Sequence, residues 1–199
     1  MADKDRYDIE RLNFLIVDDN KHMSMLVKNL LHALGTRNVA TADDAADAFA
    51  ELTHFPADII ISDYHMQPLD GLDFVRLVRT GSDSPNPFVP IIMLSGHTEM
   101  NKIMEARDAG VHEYLAKPIS ARSLYSRINK IIAEPREFVQ TKTFFGPDRR
   151  RRAVSFNGPE RRKADLQVAT PDEVRQVAEA AGAAEGAGLS QSELDALFD

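Results

Sequence analysis

The 199-residue sequence predicts an α/β fold: a five-stranded parallel sheet doubly wound by five helices, followed by a tail of different character. Three observations carry this. Between residues 10 and 134, apolar runs of strand length alternate five times with stretches of helical period, a pattern that makes a parallel sheet covered on both faces. Four of the runs end in Asp, Ser or Lys. After Pro135 the apolar periodicity stops and arginine and glycine take over.

The first run, LNFLIV at 12–17, is apolar but for Asn13 and is stopped by Asp18 and Asp19. Residues 21–34 place Met25, Leu26, Lys28, Asn29, Leu30 and Leu34 at helical spacing, and Gly35 ends the pattern. NVATA at 38–42 is a short strand. DDAADAFAELTH is a helix with acidic residues in its first turn, where they suit the helix dipole. ADIIISD is a buried strand ending in Asp63, LDGLDFVRLVRT is a helix, and TGSDSPNP is a loop of breakers. VPIIMLSG is the fourth strand, and TEMNKIMEARDAG is a helix closed by Gly110. HEYLAKP is the fifth strand, and SARSLYSRINKIIAE is the fifth helix, stopped by Pro135. Tyr7, Phe14, Phe49, Phe55, Phe74 and Phe88 are assigned to packing.

Composition excludes several classes. With no cysteine there is no disulfide framework and no thiolate metal site. The charged N-terminus MADKDRYDIER lacks the apolar core of a secretory signal. No apolar run approaches the ~18 residues of a membrane span, so the expected compartment is the cytoplasm. Charge is divided unevenly. Residues 1–134 carry 14 Lys and Arg against 20 Asp and Glu, residues 135–163 carry 9 against 3, and residues 164–199 carry 1 against 8. A basic segment between two acidic ones marks a tail with its own partner.

In sheets of this kind, ligands bind beyond the carboxyl ends of the strands. That rim collects Asp18, Asp19, Asp63, Ser95 and Lys117. Crowded carboxylates repel, and one pKa rises unless a cation joins them. Mg²⁺ suits a few carboxylates together with phosphate oxygens and water. Lysine and serine both bind phosphoryl oxygens. His22, His65 and His97 fall in loops near the same rim and are assigned as loop residues rather than as a transition-metal site.

The runs FLIVDDN, IIISDYHMQPLDG, IIMLSG and YLAKP resemble the receiver domain of two-component response regulators, over residues 10–134. The resemblance implies a flavodoxin-like sheet of strand order 2-1-3-4-5. It implies that Asp63 is the phosphoacceptor, and that Asp18, Asp19, Asp63 and the backbone carbonyl of His65 hold Mg²⁺. Lys117 would bind the phosphoryl group and Ser95 would hydrogen-bond it. Tyr114 would be the aromatic switch that turns inward on activation. The domain would take its phosphoryl group from a histidine kinase or a histidine phosphotransfer protein and later hydrolyse it, without being an enzyme in the ordinary sense. One departure concerns the loop after Met66: the proline that commonly follows directly stands one place later, at Pro68, after Gln67.

The expected organisation is an N-terminal extension at 1–9, the receiver at 10–134, an arginine-rich linker at 135–169 and an acidic tail at 170–199, with a short terminal helix at 190–198. In the linker, FFGPDRRRR at 144–152 is echoed by FNGPERRK at 156–163. The repeat has too little apolar content for a core of its own and is expected to be extended or disordered. Some chemotaxis-type receivers with arginine-rich extensions are cyclic-di-GMP effectors, and this segment is similar in kind. Arg149, Arg150, Arg161 and Arg162, with Asp148 and Glu160, would be the anion-binding candidates. Thr170, Pro171 and Glu173 start a marginal helix.

The chain ends in LSQSELDALFD. Ser190 and Glu193 form a capping box, Leu189 and Leu194 stand at the hydrophobic-staple positions, and Leu194, Leu197 and Phe198 share a face. So short a helix forms on docking rather than alone in water. The segment resembles the N-terminal peptide of the flagellar motor switch protein, which binds phosphorylated chemotaxis regulators. The expected function is a response regulator without a DNA-binding domain, acting through protein contacts in chemotaxis or motility. Its terminal peptide would dock on its own or a neighbouring receiver, and flagellar motor components would be further partners. A cyclic-dinucleotide effector and a phosphorelay shuttle stand as alternatives.

Overall fold

Isoleucine-rich runs too apolar to show any alternation become the centre of the sheet, because both of their faces are covered. Every residue of β3 (Ile59–Asp63) and β4 (Ile91–Ser95) is buried. In the computed structural model, which describes residues 7, 9–141 and 144–149, these strands lie beside β1 (Asn13–Val17), β2 (Asn38–Ala42) and β5 (Glu113–Ala116). The sheet is parallel, with order β2-β1-β3-β4-β5, as expected. Successive side chains alternate between its faces. Leu15, Val17, Ile60, Ile91 and Met93 enter a core with α2 (Ala45–Glu51), α3 (Gly71–Thr80) and α4 (Met100–Ala109). Phe14, Ile16, Ile61, Ile92 and Leu94 enter a second core with α1 (Lys21–Ala33) and α5 (Ala121–Ala133).

The helices begin where short polar side chains satisfy their first amides. Asn20 caps α1, Asp44 caps α2, Asp70 caps α3, and Ser120 forms a reciprocal box with Ser123 at α5. Gly110, at φ +100°, ends α4 in the left-handed conformation that favours glycine. On α1 the buried stripe is Ser24, Val27 and Leu31, while Met25 and Leu26 are exposed, contrary to the apolar spacing. Val27 and Leu31, with Met23, Leu30 and Leu34 beside them, form the side that meets the sheet, and Met25 and Leu26 are surplus apolar residues on the other side.

Part of the first repeat copy departs further from expectation. Residues 138–141 and 144–147, expected to be extended or disordered linker, form two antiparallel strands, β6 (Phe138–Thr141) and β7 (Phe144–Pro147), paired as a hairpin and packed on the domain. Phe145 is buried against Phe88 and Phe138, with ring centroids 5.4 Å away in each case. The hairpin needs no core of its own because it covers apolar surface that the receiver already presents. Its backbone comes close to α4: a Cβ on Gly146 would lie 2.9 Å from Gly110 Cα. Arg149 pairs with Asp108 at 3.0 Å, its guanidinium 3.7 Å from the Phe144 ring centroid. Beneath the hairpin, the wholly buried Arg79 donates to Gly110 O at 3.1 and 3.0 Å and to Pro87 O at 2.8 Å, under the Phe138 ring. The approach to β6 is anchored by Arg136, 3.4 Å from the buried Glu113, which also meets Arg127 and Lys130. The second repeat copy, the helix expected from Thr170 and the terminal helix at 190–198 lie outside the described residues.

Candidate functional site

Parallel strands in register bring their carboxyl ends to one rim, and the expected residues meet there. Asp18 follows β1, Asp63 and Ser95 close β3 and β4, and Lys117 follows β5, its amide donating to Ser95 O at 2.8 Å. Lys117 Nζ lies 2.9 Å from Asp63 Oδ1 and 3.9 Å from Asp18 Oδ2. Asp19 is exposed at the mouth, where its Oδ2 accepts from the Gln67 amide at 3.3 Å.

Asp18 is fully buried, and burial pushes its pKa from 3.8 up to about 6. The neighbouring Asp63 charge adds to the rise, while a hydrogen bond from the Asn20 amide at 2.9 Å opposes it. Asp18 Oδ2 is buried without a hydrogen-bond partner. Oxygens of Asp18, Asp19 and Asp63 fall within 4.8 Å of one another. A buried, unpartnered oxygen in a cluster of hard donors fits a divalent cation such as Mg²⁺. Among the described residues this is the one group of its kind, and no histidine belongs to it.

Tyr114 is turned inward. It is buried, its hydroxyl donates to the His97 carbonyl at 2.9 Å, and burial pushes its pKa up to about 12. Ser95 Oγ accepts from the His97 amide at 3.0 Å, so serine and tyrosine hold the same loop from two sides. His65 leaves the site on its exposed side, its ring 4.7 Å from that of His97 and 4.9 Å from that of Tyr64.

Three contributors escaped the sequence reading. Asn20 caps α1 and also donates its amide to Asp18. Tyr64 donates its hydroxyl to Glu105 Oε2 at 3.0 Å, tying the end of β3 to α4. Gly71 closes the loop after Asp63: its amide donates to Tyr64 O at 2.9 Å, and a Cβ there would lie 2.0 Å from Asp63 O. The LDGLD stretch held the signal for Gly71, a glycine directly after a capping aspartate, but only the fold shows what it faces. Of the anion-binding candidates, Arg149 is engaged by Asp108 and Phe144, while Arg150, Arg161 and Arg162 lie outside the described residues. So do Leu189, Ser190, Glu193, Leu194, Leu197 and Phe198.

Comparison with known proteins agrees with this geometry. A family model, the response regulator receiver domain, matches residues 14–129. The chemotaxis protein CheY of Pseudomonas aeruginosa is 37% identical over 120 residues, covering 60% of this chain and 95% of that protein. CheY-3 of Vibrio cholerae is 34% identical over 122 residues, covering 61% and 92%. The solved structure of Vibrio cholerae CheY4 superposes with a TM-score of 0.56 at 32% identity, covering 60% of this chain and 98% of that one. Fold, rim chemistry and sequence agree: the chain belongs to the response regulator receiver domain family.

Proposed function

We propose that this chain is a cytoplasmic response regulator of chemotaxis or motility, phosphorylated on Asp63 by a histidine kinase or a histidine phosphotransfer protein and acting through protein contacts. The observation that carries the reading is the Asp63 carboxylate paired with Lys117 at 2.9 Å, beside the buried Asp18 Oδ2, which accepts no hydrogen bond. Receiver domains generally bind Mg²⁺ at an acidic pocket. Here Asp18, Asp19, Asp63 and the His65 carbonyl would hold it, and when bound it would neutralise phosphoryl oxygens.

An Asp63 oxygen attacks the phosphorus of a phosphohistidine, an O–P bond forms, the P–N bond breaks, and the imidazole leaves. Transfer of this kind passes through a loose, highly charged transition state, so positioned cations supply most of the rate. Lys117 is placed to follow the charge onto the phosphoryl oxygens. Ser95 would donate to the same group, exchanging its bond from the His97 amide for one outward, with Tyr114 filling the space behind. In hydrolysis, water attacks the phosphorus, the Asp63 O–P bond breaks, inorganic phosphate leaves, and the carboxylate returns.

The terminal peptide at 189–198 would dock on the α4–β5–α5 face of its own or a neighbouring receiver, helped by the high effective concentration within one chain. Deleting residues 188–199 would then change target binding or oligomeric state, and unchanged behaviour in both would rule docking out. The competing assignment as a cyclic-dinucleotide effector is weaker, because Arg149 is already paired. The central test is labelling by an acyl phosphate with Mg²⁺. Label on Asp63 that is abolished in Asp63→Ala is expected; equal labelling of the variant would overturn the reading.

A further inference from the structure

The docked strands β6 and β7 lie outside the region the family model matches and take no part in the phosphoryl chemistry. They sit against residues that precede β4 and β5: Pro87, Phe88, Gly110 and His112. This is the end of the strands opposite Asp63. Two helices run between the ends. α3 starts at the site, where Gly71 bonds Tyr64, and buries Leu72, Phe74, Val75 and Val78, so it is fixed by large side chains. α4 buries only Ile103, Ala106 and Ala109, and its N-cap residue Glu99 makes no side-chain capping bond. It is the looser of the two.

Along its first half and middle α4 is tied to the site. Tyr64, next to Asp63, bonds Glu105 at mid-helix, and Lys102 in the first turn joins the same carboxylate at 3.3 Å. The Ser95–His97 loop leads directly into the helix, under the Tyr114 hydroxyl. At its end α4 is tied to the hairpin by Asp108–Arg149, by the close approach of Gly110 and Gly146, and by Arg79, which holds Gly110 O under Phe138. A helix about 15 Å long is stiff over that length, so movement at one end is felt at the other.

We propose that the hairpin strands at 136–141 and 144–149 are a latch on the far end of α4, and that their docking is coupled through this helix to the state of the Asp63 pocket. The docked hairpin and an inward Tyr114 occur together in this structure, and the proposal assigns the latch to that arrangement. A phosphoryl group on Asp63 then tightens the latch, and loosening the latch disturbs the 96–100 loop. Coupling of this kind is reciprocal. The second half rests on the reading of Asp63 as phosphoacceptor; the first does not.

The experiment uses the full chain in two arms. Without any phosphoryl donor, amide NMR signals of Gly96, His97 and Met100 are compared in the wild type, Arg149→Ala and Phe145→Ala. The proposal expects both variants to displace these signals along a common line. Signals identical to the wild type in Arg149→Ala would overturn it, and that variant decides alone if Phe145→Ala does not fold. With an acyl phosphate and Mg²⁺, hydrogen exchange of the amides of Phe144, Phe145, Gly146 and Asp148 is followed while intact mass reports the adduct. Exchange about fivefold slower or more is expected in the phosphorylated chain. An adduct with unchanged exchange would overturn the coupling. Absence of any adduct would overturn the phosphoacceptor reading instead, and the latch would stand or fall on the first arm.

Discussion

Lys117 Nζ stands 2.9 Å from Asp63 Oδ1, the shortest ion pair within the cluster at the strand ends. The same ammonium is 3.9 Å from Asp18 Oδ2, so a single cation answers two carboxylates at unequal range. This pairing fixes the Asp63 carboxylate against Lys117 and places a positive charge where phosphoryl oxygens would arrive.

Lys117→Met keeps the length of the side chain and removes the charge. Labelling of Asp63 by an acyl phosphate should fall roughly a hundredfold, the usual cost of losing one charge-stabilising donor. Rates of label incorporation in the wild type and the variant check this.

Protonation gives a second test, with two opposing signs. Folding raises the Asp18 pKa from 3.8 to about 6, so the folded, metal-free chain binds this proton more tightly than the unfolded chain. Stability contributed here is lost as pH rises through that window, and the penalty, on the order of 3 kcal/mol, is complete above it. His112 acts the other way. Burial, with Arg79 and Arg136 nearby, holds it well below 6.5, so acidification below 6.5 favours the unfolded chain. Asp18→Asn removes only the first effect. In urea titrations the variant should exceed the wild type clearly at about pH 8 and much less at about pH 5. Mg²⁺ should stabilise the wild type more at the higher pH.

Gly71→Ala introduces a methyl group 2.0 Å from Asp63 O. The backbone must move, and it carries the acceptor with it. The expected loss is about 2–3 kcal/mol in chemical unfolding, with labelling reduced as well. A variant as stable and as reactive as the wild type would mean that the loop does not pack as described.

Tyr114→Phe keeps the buried ring and removes the hydroxyl that satisfies the His97 carbonyl. A loss of about 1 kcal/mol is expected, close to the worth of one buried hydrogen bond. Labelling of Asp63 should persist, because the hydroxyl meets Ser95 and the His97 carbonyl rather than the Asp63 carboxylate.

Most of the sheet was legible because strands covered on both faces must be continuously apolar, and Ile59–Ile61 and Ile91–Leu94 are. The rim was legible because parallel strands in register bring their ends together, so Asp18, Asp63, Ser95 and Lys117 had to meet. The exposed face of α1 was not, since Met25 and Leu26 are as apolar as the residues it buries. The hairpin was not legible for a different reason. Its seat is made by Phe88, Arg79 and Gly110, residues far apart in sequence, and a local count of apolar content cannot see a surface assembled by tertiary contact. Tyr64 and Gly71 escaped in the same way, each meaningful only through its partner.

The family match stops at residue 129, whereas Phe138 and Phe145 complete the cover over Arg79 and Phe88. Cutting the gene at the conventional border would therefore uncover a guanidinium and an aromatic side chain that the whole protein keeps from water. A fragment meant for crystallisation, or a receiver grafted onto another output module, should retain the chain through Arg149.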